Sequence, residues 1–138
     1  MKKEIIKKLD KAVIEYYKNL EPKCAVCGGQ YSELHHWYAK RRNLFLRWAP
    51  QNIVPLCTTC HAKAETDARH WKTYFIDYFY NDLLFLREGK NYIIKDGFDY
   101  EKLLNYYKNK IDINKIRSWY IDQIIFWQLG TGRRKYSD

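Results

Sequence analysis

The chain has 138 residues, 46% of them hydrophobic, and carries a formal net charge of +9. This length is usual for one domain, and the hydrophobic share is sufficient to form a core. No run of about 18 apolar residues could span a bilayer, and the charged start, MKKEIIKKLDK, lacks the apolar stretch of a signal peptide. We therefore expect a soluble, intracellular, cytoplasmic protein.

The positive charge is concentrated in the first half of the chain. Residues 1–70 hold thirteen Lys and Arg against seven acids, whereas residues 71–138 hold twelve against nine. Residues 34–64 contain no carboxylate, and their basic residues are Lys40, Arg41, Arg42, Arg47 and Lys63. Such a patch favours a polyanion held through its phosphates, so DNA is the expected partner.

Hydrophobic residues recur at three- and four-residue steps near the amino terminus, with lysines on the opposite face. The pattern predicts an amphipathic helix within residues 1–22, which Pro22 ends. Gly28-Gly29 and short aromatic or β-branched runs then predict a zinc knuckle, a strand over 32–38 and a second strand over 52–56. A polar, basic loop is expected to join the strands.

Further helices are expected after the second strand. Thr58 or Thr59 is placed to cap a helix that begins near Cys60, and the apolar pattern predicts that this helix extends or restarts until Gly89 supplies a stop. Lys95-Asp96-Gly97 predicts a chain reversal. Asp99 and Asn114 are each expected to start a later helix, and we interpret the aromatic residues of these helices as core.

All four cysteines form two C-x-x-C pairs, Cys24 with Cys27 and Cys57 with Cys60. Four thiolates at this spacing suit one closed, tetrahedral structural zinc site, which clamps the start of the basic segment to its end. Two disulfides or a redox motif are the alternatives, and the close pairs without a βαβ pattern favour zinc.

Three of the four histidines lie between or beside these pairs. Side chains alternate along a strand, so His35 and His36 are expected to face different ways, one for metal and one for a nucleophile. His61 follows Cys60, and Glu65 lies one helical turn later on the same face. His61 and Glu65 are therefore candidates to share a cation with a strand histidine.

The order C-x-x-C, HH and N-I-V-P-L-C-x-x-C-H, from Cys24 to Glu65, resembles the HNH endonucleases, a branch of the ββα-metal or His-Me finger nucleases. The resemblance implies an α+β protein with three parts. They are an N-terminal helix (1–22), a zinc-stapled ββα-metal core (23–70) and a mainly helical extension (71–138).

The same resemblance implies roles for single residues. His36 resembles the general base that activates water, and His35 and His61 resemble ligands of a catalytic divalent cation, Mg²⁺, Mn²⁺ or Zn²⁺. Glu65 is a candidate third ligand. Asn52 resembles the residue that braces the loop between the strands and so orients the base.

The resemblance implies metal-dependent hydrolysis of DNA phosphodiester bonds. Contacts to flanking phosphates are expected from Lys40, Arg41, Arg42 and Arg47. Many family members carry an acidic residue immediately before the histidine pair; here Leu34 holds that position and Glu33 is displaced by one.

The segment LRWAPQN looks similar to a segment of phage recombination nucleases that act on branched DNA. Branched or nicked DNA is therefore an expected substrate. A mobile-element nicking enzyme and a restriction-type nuclease fit equally well. The alternatives to an enzyme are a non-catalytic, zinc-stabilised nucleic-acid-binding module and a protein-interaction domain with a structural zinc. The extension is expected to mediate homodimerisation or an added DNA contact.

Overall fold

The structure is a computed structural model that describes residues 2–67, 69, 75–94 and 98–130. Two β-strands and five α-helices have assigned bounds within these ranges: α1 (Lys2–Leu20), β1 (Glu33–His36), β2 (Ile53–Leu56), α2 (Thr58–Thr66), α3 (Leu83–Lys90), α4 (Tyr100–Lys108) and α5 (Ile113–Gly130). Helices combined with a two-stranded sheet make the protein α+β, which is the predicted class.

Helix α1 has the predicted amphipathic character. It buries one face that includes Leu9, Val13 and Tyr17, and it packs mainly against α4. It ends at Leu20, where Glu21 takes a positive φ of 48° that does not continue a helix. The Tyr16 hydroxyl donates to the carbonyl of Ile111, 2.6 Å away, which ties α1 to the segment after α4.

Strands β1 and β2 pair antiparallel, with His35 opposite Val54 and His36 opposite Ile53. Both strands are shorter than predicted, because the chain leaves the ladder after His36 and Asn52 belongs to a 3-10 turn, Pro50–Asn52. The Asn52 carbonyl still accepts from the Trp37 amide at 3.0 Å, and the Asn52 side chain bonds the backbone of Tyr38 beyond the paired residues.

The connection between the strands differs from the predicted polar loop. It contains a 3-10 helix, Phe45–Trp48, whose Phe45, Leu46 and Trp48 are at most 1% exposed. The hydroxyl of Tyr107, which lies in α4, donates to the Trp48 carbonyl. Only the first part of the connection, around Arg41 and Arg42, is exposed and basic.

The predicted cap at the start of α2 and the predicted helix stop at Gly89 are both wrong. Cys57, and neither Thr58 nor Thr59, caps α2, because its sulfur accepts from the Cys60 amide. Gly89 lies inside α3, where a Cβ would approach Leu46 to 2.7 Å, so close packing explains this glycine better than a stop.

The predicted start of α4 is confirmed, and the predicted start of α5 is off by one residue. Asp99 caps α4 as predicted, by accepting from the Lys102 amide at 2.9 Å. Helix α5 begins one residue before Asn114, where the Asp112 carboxylate accepts from the Asn114 amide at 2.8 Å. Of the predicted core residues of α5, Ile116, Trp119, Tyr120 and Ile124 are buried, whereas Trp127 is half-buried. The interpretation of the aromatic residues as core is wrong for Phe126, which is 65% exposed.

The predicted Lys95-Asp96-Gly97 reversal lies outside the described residues. The same holds for His70, to which the sequence assigns no function, and for Arg133, Arg134 and Lys135, which the sequence predicts to belong to a solvated terminus. Within the described part of the chain, none of the helices has the length and apolar content needed to traverse a bilayer.

Candidate metal centres and active site

The four cysteines converge as the C-x-x-C spacing predicts. One sulfur from each of Cys24, Cys27, Cys57 and Cys60 lies within 4.8 Å of the others, and all four are free of disulfides. The sulfurs of Cys27 and Cys57 are 3.8 Å apart, and tetrahedral zinc with Zn–S bonds of about 2.3 Å requires nearly this separation. The donor set and its spacing fit a closed structural zinc site.

Local structure favours the thiolate at Cys24, whereas burial and the neighbouring cysteines raise the pKa of Cys60 to about 12. Gly28 has a φ of +75°, which lets the first knuckle turn so that the Gly29 amide reaches the Cys27 sulfur at 3.4 Å. Burial opposes ionisation of Cys24, but hydrogen bonds from backbone amides overcome it and lower the pKa of that thiol to about 6. Thiolate is the form that binds zinc.

A second potential metal centre consists of His35, His61 and Glu65, hereafter the His–Glu cluster. One donor atom of each residue lies within 4.8 Å of the others. The Glu65 Oε1 is 3.6 Å from Nδ1 of His35 and 3.3 Å from Nε2 of His61. Three protein donors leave coordination positions open for water or substrate, as catalytic sites require.

The structure therefore brings His35 and His61 to the same side of the sheet. Strand β1 supplies His35, and α2 supplies His61 and Glu65 from positions one turn apart. Burial and the nearby His61 lower the pKa of His35. A neutral imidazole is the form that can donate a lone pair to a cation.

Glu33 is a site residue that sequence reasoning missed. Its Oε1 accepts from Nδ1–H of His61 at 2.5 Å, and this hydrogen bond lowers the pKa of the Glu33 carboxyl. The bond places the His61 proton on Nδ1 and leaves Nε2 free as a ligand, the role that carboxylates have beside metal-binding histidines. The available signal was strand alternation, which puts Glu33 on the face of His35.

His36 lies apart from the donors of the His–Glu cluster and is held by the backbone. Its Nε2–H donates to the Arg47 carbonyl at 3.1 Å. A carbonyl can only accept, so the neutral ring carries its proton on Nε2 and keeps Nδ1 as an acceptor. Burial lowers the pKa of His36 to about 4, which keeps the ring neutral near pH 7.

Asn52 braces the connection between the strands. It is fully buried, its Oδ1 accepts from the Tyr38 amide at 2.9 Å, and its Nδ2 donates to the carbonyls of Tyr38 and Leu46 at 3.0 and 3.1 Å. These bonds fix the chain on both sides of the segment that carries Arg47, and so the carbonyl that holds His36.

We expect Asn52→Ala to lower the free energy of unfolding by about 3 kcal/mol, because one buried and two part-buried backbone groups lose their partner. Urea unfolding monitored by circular dichroism measures the change. Asn19→Ala is the matched control, since Asn19 is exposed and bonds only within α1. Equal midpoints for the two variants would contradict the bracing role.

Arg47 is engaged differently from the other predicted phosphate-binding residues. Its guanidinium donates to both carboxylate oxygens of Asp10 in α1, at 2.9 and 2.7 Å, and Asp10 also accepts from the Trp48 indole. Arg47 therefore connects α1 to the strand connection and is unsuited to hold phosphate. Lys40, Arg41 and Arg42 are exposed.

A cavity of about 690 Å³, hereafter the metal-site cavity, contains the His–Glu cluster and His36 in its wall. Lys40 and Arg41 line it on one side, and Trp37, Tyr38 and Phe75 provide aromatic surface. A neutral base, three potential metal ligands and two cations thus face one cavity. Such a set can bind a phosphate ester and activate water beside it.

Comparisons of the chain with protein-family models, with curated proteins and with solved structures find no match.

Proposed function

We propose that this protein is a metal-dependent endonuclease of the HNH type, which hydrolyses phosphodiester bonds in DNA. The observation that carries the proposal is the shared wall of the metal-site cavity, where the His–Glu cluster and a neutral His36 occur with Lys40 and Arg41. The chemistry of each group matches one requirement of phosphodiester hydrolysis.

Hydrolysis first needs a base that takes a proton from water. In this proposal the base is Nδ1 of His36, because Nε2–H is held by the Arg47 carbonyl. The hydrogen bond also fixes the plane of the ring, and Asn52 and the Asp10–Arg47 ion pair hold the backbone that accepts it. The base is thus positioned by groups outside the cavity.

The His–Glu cluster would hold the catalytic cation, with Glu33 fixing the orientation of His61. A divalent cation bound there supplies charge neutralisation for the phosphate and the departing 3′-oxygen. Imidazole and carboxylate ligands suit Mn²⁺ and Zn²⁺ as well as Mg²⁺.

Lys40, Arg41 and Arg42 are proposed to contact phosphates on either side of the scissile bond. These contacts position the backbone without distinguishing bases, so we expect weak sequence preference. The four-cysteine site is proposed to hold zinc only for structure, because four sulfurs leave no open coordination position.

The test is cleavage of supercoiled plasmid by the purified, zinc-loaded protein with added Mg²⁺, Mn²⁺ or Zn²⁺. We expect nicked and then linear DNA only when a cation is added. His61→Ala should abolish cleavage, and Glu33→Gln should reduce it roughly 10–100-fold, as the loss of a carboxylate behind a metal-binding histidine does. Thr66→Ala, an exposed position on α2, should leave the rate unchanged.

A second function is a non-catalytic module that binds nucleic acid through the same basic surface. The exposed, acid-free segment around Arg41 and Arg42 favours it to the same degree as the nuclease. Salt-dependent binding without cleavage under any of the three cations would select the module. Parallel assays with four-way junction, nicked, linear and single-stranded DNA would define the substrate structure of an active enzyme.

A further inference from the structure

A second cavity adjoins the metal-site cavity on the side of α1. It has a volume of about 320 Å³ and is hereafter the α1 cavity. Helix α1 contributes Asp10, Val13, Ile14 and Lys18 to its wall, and β1 with the residue before it contributes Ser32, Glu33 and Leu34. The helix therefore forms one side of a depression that the sequence pattern assigned only to packing.

The two cavities meet at the proposed reaction centre. Leu34, His36, Lys40 and His61 line both of them, so the base and one metal ligand stand at the boundary. A phosphodiester at this boundary has a nucleoside attached on each side. One nucleoside can enter the metal-site cavity, and the other then has to extend into the α1 cavity.

The charges of the α1 cavity suit a nucleotide. Its two carboxylates are both paired, Asp10 with Arg47 at 2.7 Å and Glu33 with His61 at 2.5 Å. Its other cations, Lys18 and Lys40, are exposed and form no ion pair within the part of the chain that the structure describes. The charge of Lys40 helps to lower the pKa of Asp10, whereas Lys18 has no such partner among these residues and remains to meet phosphate.

The remaining wall of the α1 cavity is apolar and accessible. Ile14 is 50% exposed although it lies next to buried Val13, and Leu34 and Tyr31 are half-buried. An apolar and aromatic surface beside a lysine matches the chemistry of a nucleotide, whose base stacks while its phosphate pairs with a cation.

We propose that the α1 cavity binds the nucleotide that flanks the scissile phosphate, with Lys18 contacting its next phosphate and Ile14 contacting its sugar or base. This inference rests on the proposed nuclease function and adds α1 to the substrate-binding surface. Lys18 and Ile14 are positioned to affect substrate affinity, and neither belongs to the base or to the metal ligands.

The first test compares Lys18→Gln with Lys8→Gln in steady-state cleavage of an oligonucleotide. Both lysines are exposed on α1, and both substitutions remove one charge, but Lys8 lines a different cavity beside α4. We expect Lys18→Gln to raise KM and to reduce the slope of log KM against log salt by about one, the effect of one lost phosphate contact. Lys8→Gln should change neither.

The second test fills the α1 cavity. Ile14→Trp should lower kcat/KM roughly tenfold, equivalent to about 1.4 kcal/mol of lost binding, whereas Leu20→Trp should not. Both residues are about half exposed on α1, so both variants are expected to fold. Thermal unfolding and Mn²⁺ titration by calorimetry should give the same values for both variants.

The outcomes separate this inference from the nuclease proposal. If the wild type cleaves and each variant matches its control, the α1 cavity is not a nucleotide site and the nuclease proposal stands. If the wild type does not cleave under any cation, the nuclease proposal fails and the assignment of the α1 cavity fails with it.

Discussion

Replacing Cys27 with alanine will lower the thermal unfolding midpoint by roughly 15 °C, which corresponds to about 4 kcal/mol for a chain of this size. The expectation follows from the convergence of four sulfurs from two distant segments, because zinc binding in comparable sites is worth on the order of 10 kcal/mol. Because Cys27 is exposed, its replacement removes little packing. The lower unfolding midpoint would therefore measure the loss of bound zinc.

The measurements for Cys27→Ala are zinc content by atomic absorption and the unfolding transition by circular dichroism. The wild type should contain one tightly held zinc per chain, and the variant less. Gln30→Ala is the control, since Gln30 is an exposed neighbour in the same knuckle without a metal donor role. A wild type free of zinc, with both variants equally stable, would refute the structural zinc site.

Replacing His36 with glutamine will lower kcat by about 10²–10⁴-fold, the range typical for loss of a general base. The glutamine amide can occupy the position of Nε2–H and still donate to the Arg47 carbonyl that His36 reaches at 3.1 Å, but it has no group that takes a proton near neutral pH. Since the buried imidazole is neutral, its loss removes no charge, and KM should change little.

Two comparisons complete the His36 experiment. His36→Ala should be as slow as His36→Gln but less stable, because the Arg47 carbonyl loses its donor. Fluorescence anisotropy should give wild-type DNA affinity for both variants. Wild-type kcat in His36→Gln would show that another group activates water and would remove His36 from the proposed mechanism.

Several parts of the site follow from short-range sequence patterns. The cysteine pairs predict their own convergence, and His61 and Glu65 share a helix face because four residues nearly complete one turn. Both groups of ligands could be anticipated because the cysteine pairs bring the knuckle before β1 to the start of α2. The amphipathic pattern of α1 and the cap at Asp99 are also local signals, and the structure has both.

Other parts depend on contacts between distant residues, which periodicity does not reveal. Arg47 belongs to a run without acids, so it resembled a free phosphate-binding group, but its partner Asp10 lies 37 residues away. The position of Glu33, two residues before His35, does not reveal its hydrogen bond to His61, because His61 comes from α2. Phe45 and Trp48 are buried because α3 and α4 cover a connection that has no strand or long helix of its own.

The adjacency of Cys60 and His61 links the two centres along one backbone. Cys57 caps α2, Cys60 lies in its first turn, and His61 is the next residue. A cation held by the four cysteines would anchor the first turn of this helix and, through it, would fix the distance of His61 and Glu65 from His35. The occupancy of one group of ligands would therefore set the geometry of the other.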